Sequence, residues 1–270
     1  MLPEPSPGFK WIHTAQGPAL VCEALEPFAS HLFTTRLWAL GASAGAEDAA
    51  GWDELARAIG VASGHLLRAK QVHGSAVIVH RQGRQRTSGR LSEADILVTD
   101  DRSVAVAVQT ADCVPLLIAD RRTGSVAAAH AGWRGLAAHV PRIAVEALCS
   151  EFGSRPGDLV AAVGPAISRS RYEVGPDVRA RFEHAGSTTE QLSRWFSTST
   201  RAGHWYFEGS GAAYDQLVAA GLAAGDVLCA TLCTANYAEV FCSYRRDGKG
   251  AGRIAGAIRP RTRGALSSEF

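Results

Sequence analysis

The stretch Val126-Ala127-Ala128-Ala129-His130-Ala131-Gly132-Trp133-Arg134-Gly135 decides how the fold is read. Its first four residues are small and apolar, the pattern of a strand buried on both faces. His130 ends that run, and Gly132-Trp133-Arg134-Gly135 then reads as a turn. Beyond it Val140, Ile143, Ala144, Ala147 and Leu148 recur at helical spacing, with Gly153 as a stop signal, so the spacing predicts a helix. This places His130 where the carboxyl end of a strand meets the start of a helix, a location that favours ligand sites in α/β proteins, anion sites especially.

Outward from this unit the same alternation continues. Upstream, Ile96 to Thr99, Val104 to Val108 and Val114 to Ala119 are short apolar runs separated by turn residues, and Ala76 to His80 is rich in β-branched residues; all four read as strands. Gly83 to Gly89 is polar, Arg-rich and loop-like, and Ala50 to Ile59 has helical spacing. Downstream, Leu159 to Val163, Val227 to Leu232 and Val240 to Tyr244 read as strands, and Asp177 to Phe182 and Ala212 to Ala224 as helices. Strands and helices are interleaved without a fixed-period repeat or a long linker, which predicts a single α/β domain over residues 1–270.

Composition agrees. The 270 residues are 46% hydrophobic and 20% charged, values of an ordinary globular chain. A formal charge of +2, with basic residues scattered along the chain, points away from nucleic-acid and membrane electrostatics and toward a small-molecule partner. Six cysteines without a C-x-x-C pair are too sparse for a disulfide scaffold or a zinc ribbon. The N-terminal Met1-to-Phe9 stretch lacks the basic and apolar regions of a secretory signal, so a cytoplasmic location is expected.

Several chemistries fail on spacing. There is no G-x-x-x-x-G-K-[ST] and no H-E-x-x-H, the glycines of Gly248 to Gly252 do not follow G-x-G-x-x-G, and the H-x-E…P-C-x-x-C deaminase signature is missing. Gly41-Ala42-Ser43-Ala44-Gly45 matches G-x-S-x-G, but too few residues precede Ser43 to build a hydrolase sheet, so it reads as a turn. Three segments remain: Gln71-Val72-His73-Gly74, Thr110-Ala111-Asp112-Cys113, and Ala129-His130-Ala131-Gly132-Trp133-Arg134-Gly135. Each sets a metal-capable or nucleophilic side chain at the edge of an apolar run, where an ionisable group is costly unless it has a function. His73, Cys113 and His130 would supply N, S and N donors and leave a fourth tetrahedral position open, the arrangement of a catalytic zinc site. The other cysteines read as small buried hydrophobes, and the other histidines as surface or hydrogen-bonded core residues.

These segments also carry a resemblance. Gln71-Val72-His73, Ala94-Asp95-Ile96-Leu97-Val98-Thr99, Thr110-Ala111-Asp112-Cys113, Ala128 to Gly135, Gly164-Pro165-Ala166-Ile167, Tyr172-Glu173-Val174-Gly175, Cys233-Thr234 and Phe241 to Gly248 together resemble the YfiH family, also known as laccase-domain or polyphenol oxidase proteins. The resemblance implies a zinc site, or alternatively a copper site, on His73, Cys113 and His130. It also implies a single α/β domain with β-sheets sandwiched between helices. Members of the family are described as purine nucleoside phosphorylases with adenosine deaminase activity, as cytoplasmic peptidoglycan-precursor editing amidases and as laccase-like oxidases. One departure stands out: after Thr34-Thr35-Arg36, the segment Leu37 to Ala50 lacks the Gly-Gly-Val-Ser turn and the Asn-Leu-Gly…His-Val-Gly-Asp segment usual in similar proteins, which would narrow or alter the substrate range.

Roles follow for the remaining site residues. Asp112 and Cys113 are expected at the catalytic centre, with Asp112 orienting a ligand or water beside the thiolate or capping a turn. Gln71 is expected to contact substrate. Phosphorolysis needs a phosphate clamp, for which Arg36, Arg134, Arg245 and Arg246 are the candidates, Arg134 and Arg245 foremost because each lies inside a specific motif. A Cys113 nucleophile with His130 as base is a competing reading in which His73 has no clear role.

Overall fold

The computed structural model describes residues 1–41, 49–83 and 91–261. Most of Gly41 to Gly45 and of Gly83 to Gly89 lies outside the described residues. The strands run β1 Phe9–Thr14, β2 Gly17–Cys22, β3 Ala29–Thr34, β4 Leu66–Leu67, β5 Val77–His80, β6 Ile96–Thr99, β7 Ala105–Thr110, β8 Val114–Asp120, β9 Val126–Ala131, β10 Leu159–Val163, β11 Glu173–Val174, β12 Phe196–Thr198, β13 Trp205–Phe207, β14 Val227–Cys229 and β15 Ile254–Pro260. The helices are α1 Ala49–Ile59, α2 Trp133–Ala137, α3 Val140–Phe152, α4 Pro176–His184, α5 Thr189–Trp195, α6 Gly209–Ala219 and α7 Tyr244–Asp247.

Two six-stranded sheets stack face to face, one ordered β1-β2-β3-β15-β7-β4 and the other β14-β10-β8-β9-β6-β5, and a small sheet β11-β13-β12 lies apart. The period of two along each strand assigns the layers. In the second sheet Leu97, Leu117, Ala128 and Val160 face Phe33, Val106, Val108 and Ile258 of the first. Their neighbours Ile96, Val98, Leu116, Ile118 and Ala161 point the other way, onto Ala144, Val145 and Leu148 of α3 and Ala213 and Leu217 of α6. The outer face of the first sheet is covered by α1 through Trp52, Leu55, Ala56 and Ile59. Strands covered on both faces have no reason to alternate polar and apolar residues, and this explains the unbroken apolar runs of the middle of the chain. The fold is mixed α/β, as the interleaved patterns predicted, with sheets sandwiched between helices, as the family resemblance implied. No helix among the described residues is long and apolar enough to cross a membrane.

Several local expectations are corrected. Gly132 to Gly135 is not a simple turn: Gly132 caps the short helix α2, and His139, at φ 60°, turns the chain into α3. Gly153 ends α3 at φ 66°, its amide donating to the Cys149 and Leu148 carbonyls, a left-handed cap that glycine adopts without cost. Val240 to Tyr244 is not a strand. Val240 to Ser243 is a buried loop, in which Phe241 N–H donates to Tyr237 O and the Val240 carbonyl accepts from Arg36 N–H, and the exposed Tyr244 opens α7. Helix α6 starts at Gly209 rather than Ala212 and ends at Ala219, before Gly221 at φ 102°. β14 stops at Cys229, three residues before the expected Leu232.

Candidate metal centre and cavity

Two loops and the end of β9 meet at one end of the second sheet. His73 follows β4, Cys113 sits between β7 and β8, and His130 lies near the end of β9, paired across the ladder with Pro115. The antiparallel β8–β9 pairing therefore brings Cys113 and His130 to the same edge. The ligand atoms of His73, Cys113 and His130 all lie within 4.8 Å of one another. The Cys113 Sγ to His73 Nε2 distance is 3.9 Å, against about 3.6 Å for the S and N ligands of a tetrahedral zinc. That pair must close by a few tenths of an ångström and the widest pair, within 4.8 Å, by more, while the donor types and their convergence are those of a three-ligand metal site.

The backbone around these donors is unusual for one reason. His73 and Asp112 both have positive φ, 58° and 89°, conformations that cost non-glycine residues of order 1–3 kcal/mol and persist where surrounding bonds over-determine them. Asp95 supplies those bonds for His73. Its fully buried carboxylate accepts the amides of Val72 (3.2 Å), His73 (3.1 Å) and Gly74 (2.7 Å) and the Nδ1–H of His130 (2.7 Å). One side chain thus shapes the His73 loop and fixes the His130 ring with Nε2 directed to the metal position, the usual carboxylate–histidine support of a metal ligand. Burial pushes the Asp95 carboxyl up, but His130 and the amides outweigh it and hold it below the ordinary value. The sequence signal for Asp95 was available: it interrupts buried Ala94 and Ile96 just as Asp112 and Cys113 interrupt their run.

Without a metal, Cys113 and His130 form a thiolate–imidazolium pair. Burial pushes the Cys113 thiol up, yet the charge and hydrogen bonds of His130 and His73 bring it down to about 6. Burial pulls His130 down, and the Cys113 charge and Asp95 bond more than offset it, so the imidazole is held above its ordinary value. The thiolate that a metal requires is thus favoured near neutral pH, and a metal would displace the proton from His130 Nε2 on binding. Gly132 closes the arrangement, because a Cβ there would stand 2.9 Å from Cys113 Sγ and 3.0 Å from His73 Cδ2.

The three donors open into a cavity of about 670 Å³, a size suited to a small-molecule substrate. Gln71, Asp112, Arg134 and Arg245 line it, as do Tyr172, Tyr244, Lys249 and Arg253. Gln71 uses its amide as a two-point clamp on β7, donating to Gln109 O at 2.8 Å and accepting Gln109 N–H at 2.7 Å. Asp112 accepts the Thr234 hydroxyl and the Arg245 amide, each at 2.6 Å. Arg134 stacks on the Trp133 ring at 4.2 Å, and Arg245 lies 4.9 Å from the Tyr172 ring centroid and donates to Glu173 O at 2.9 Å. Burial, followed by the charge of Cys113, pushes the Tyr172 phenol up, so it remains a protonated donor. Arg36 and Arg246 are not among the lining residues. Arg36 donates to the Ala238 carbonyl, and Arg246 donates to the Thr234 carbonyl at 3.0 Å and the Phe241 carbonyl at 3.0 Å, so both tie down the buried loop behind the cavity. Lys249 and Arg253 were not singled out in the sequence; they reach the cavity only through the folded course of the chain after α7.

Residues 46–261 match the family model described as multi-copper polyphenol oxidoreductase laccase. The chain belongs to this laccase-domain (YfiH) family. It is 38% identical over 242 residues to a purine nucleoside phosphorylase of Deinococcus radiodurans, covering 84% of this chain and 88% of that protein. It is 30% identical over 204 residues to the adenosine deaminase RL5 of an unknown prokaryotic organism, covering 74% and 76%. Among solved structures, YlmD from Geobacillus stearothermophilus superposes with a TM-score of 0.80 at 26% identity over 93% of this chain and 99% of that one. The Bacillus licheniformis hypothetical protein YfiH gives 0.83 at 24% identity over 93% and 99%, a likeness of fold.

Proposed function

We propose that this laccase-domain protein is a zinc-dependent purine nucleoside enzyme, which cleaves adenosine and inosine by phosphorolysis and also deaminates adenosine. The observation that carries the reading is the His73–Cys113–His130 triangle opening into a cavity walled by cations, in a chain whose relatives bear the names purine nucleoside phosphorylase and adenosine deaminase. A zinc ion held by those three donors would supply Lewis acidity at an open coordination position.

The chain's own residues do the rest. Asp95 orients His130 and the His73 loop. Asp112 fastens the Arg245 segment to the cysteine loop, which makes it a positioning residue, since both its oxygens are occupied. Arg134 and Arg245 offer guanidinium forks to phosphate, and Tyr172 offers a hydroxyl donor to substrate. In phosphorolysis a phosphate oxygen forms a bond to C1′ as the C1′–N9 bond breaks; the base leaves with the bonding electron pair and takes up a proton from solvent. The site accepts cofactor, phosphate and nucleoside as small molecules, and neither nucleic acid nor membrane is needed for the chemistry.

A second reading has a specific observation in its favour: Cys113, His130 and Asp95 are linked as thiolate, imidazolium and carboxylate, the order of a Cys-His hydrolase. It leaves His73 without a task, and three convergent donors suit a metal better. For the copper-oxidase reading, the described residues contain one three-donor group, whereas oxidation by oxygen calls for further copper ligands. Product analysis tests the proposal: zinc-loaded protein given adenosine and phosphate is expected to yield adenine with ribose 1-phosphate, and inosine with ammonia. Inertness toward nucleosides, with cleavage of an amino-sugar peptide precursor instead, would transfer the site to the amidase reading.

A further inference from the structure

The cationic wall of the cavity extends beyond the motif arginines. Lys249 and Arg253 line it beside Arg134 and Arg245, and Asp112 is the carboxylate among the lining residues, with both oxygens engaged. Four cations around one compensated carboxylate give a recess of strongly positive potential, which low-dielectric walls focus onto a bound anion.

The backbone explains how these side chains arrive there. β15 pairs with β7 so that Ile254 stands opposite Thr110. Arg253 therefore enters at the point where Ala111-Asp112-Cys113 leaves the same ladder, on the cysteine side of the cavity. Asp112 pins the start of the Tyr244–Arg253 segment through the Arg245 amide at 2.6 Å. At the other end Gly252 packs so closely that a Cβ would lie 2.9 Å from Cys242 Sγ. Arg253 Nη1 donates to the Gly252 carbonyl at 3.0 Å and the Ala251 carbonyl at 3.3 Å, so its half-buried guanidinium is held in place before any ligand arrives. Lys249 is exposed at the same wall, a mobile point charge suited to closing over an anion from solvent. Arg134 and Arg245, by contrast, are spread over the Trp133 and Tyr172 rings.

We propose that Arg253 and Lys249 complete the phosphate subsite that Arg134 and Arg245 border, Arg253 as the preorganised contact beside the cysteine loop and Lys249 as the contact from the mouth. The inference rests on the phosphorolytic reading for its ligand, but the subsite is defined by anion binding and is tested without a nucleoside. Zinc-loaded protein is titrated with inorganic phosphate by calorimetry and phosphorus NMR. One phosphate per chain is expected to bind, and Arg253→Gln and Lys249→Gln are each expected to weaken it roughly tenfold or more, the loss typical of one charge-assisted contact. Arg142→Gln, an exposed cation on α3 paired with Glu146, serves as the control for general charge loss. Should Arg253→Gln fail to fold, Arg253→Lys and the exposed Lys249→Gln carry the test. Absence of phosphate binding by the parent protein, or parental affinity in both variants, would overturn the subsite. Phosphate binding lost in the variants while the parent performs no phosphorolysis would uphold the subsite and remove the reaction; phosphorolysis with an unchanged phosphate KM in both variants would do the reverse.

Discussion

Asp95 is the residue on which the site turns. It is buried beneath the metal position, and it bonds His130 and three consecutive amides of the His73 loop. Replacing it by asparagine keeps the size but removes the charge that favours the His130 Nδ1–H tautomer. Asp95→Asn is expected to fold and to bind zinc about 10- to 100-fold more weakly, the usual cost of losing a support of a ligating histidine. Competition with a chromophoric chelator measures this, and parental affinity would mean that the His130 ring is held by packing alone. His73, Cys113 and His130 were legible in the sequence because each is a metal-capable residue at the edge of a strand pattern, Cys113 through the ionisable pair that interrupts an apolar run and His130 through the strand-to-helix junction. Asp95 gives the same signal, but in the sequence it stands at a strand start rather than beside a second ionisable residue or a Gly-rich turn. Its task, satisfying three amides and a ring nitrogen, exists only in the folded loop. Lys249 and Arg253 were illegible for a different reason: in a Gly-rich stretch they look like solvated surface charges, and only the β15–β7 register sets them on the cavity.

At the scale of elements, Gly132 shows how tightly the α2 start, the cysteine loop and the histidine loop interlock. A methyl group there would stand 2.9 Å from Cys113 Sγ and 3.0 Å from His73 Cδ2, both ligand side chains. Its φ of −71° is open to any residue, so alanine brings steric conflict without backbone strain. Gly132→Ala is therefore expected to retain its thermal transition in the metal-free form and to lose most zinc binding, read by elemental analysis after gel filtration. Full zinc stoichiometry in that variant would show that the loops part easily. The buried strands of the second sheet were readable as unbroken apolar runs, and α3 by its spacing and its Gly153 stop. Two kinds of element escaped. β1 to β3 and β15 mix Gly, Pro and His into their runs, and the β11-β13-β12 sheet consists of strands of two or three residues. Val240 to Ser243 misled in the opposite direction: it is apolar because it is buried as a loop, and composition alone cannot separate that from a strand.

For the whole molecule, the stacked sheets set a pH limit on stability through His31, on β3. His31 is buried, accepts the Cys22 amide on Nε2 at 2.8 Å and lies near Ala29 O, and burial brings its pKa down to about 4. The unfolded chain takes up this proton near pH 6.5, before the folded chain does. Stability is therefore unaffected by His31 above that pH and falls as pH drops from about 6.5 toward 4, at up to about 1.4 kcal/mol per pH unit. His31→Gln is expected to be less stable at pH 7 but to lose less on acidification across that window, as urea midpoints at pH 7, 6 and 5 will show. Equal slopes for the two proteins would remove His31 as the source. The fold class followed from the interleaving of strand and helix patterns, whereas the meeting of three distant segments at one sheet edge is a property of topology that no local pattern displays. That meeting is what a single experiment can test. Protein stripped rigorously of metal, with Cys113 kept reduced, is assayed on adenosine with phosphate before and after addition of one equivalent of zinc. No turnover without metal and recovery at one zinc per chain is the predicted result; full turnover by the metal-free protein would contradict it and leave Cys113, His130 and Asp95 as a hydrolase triad.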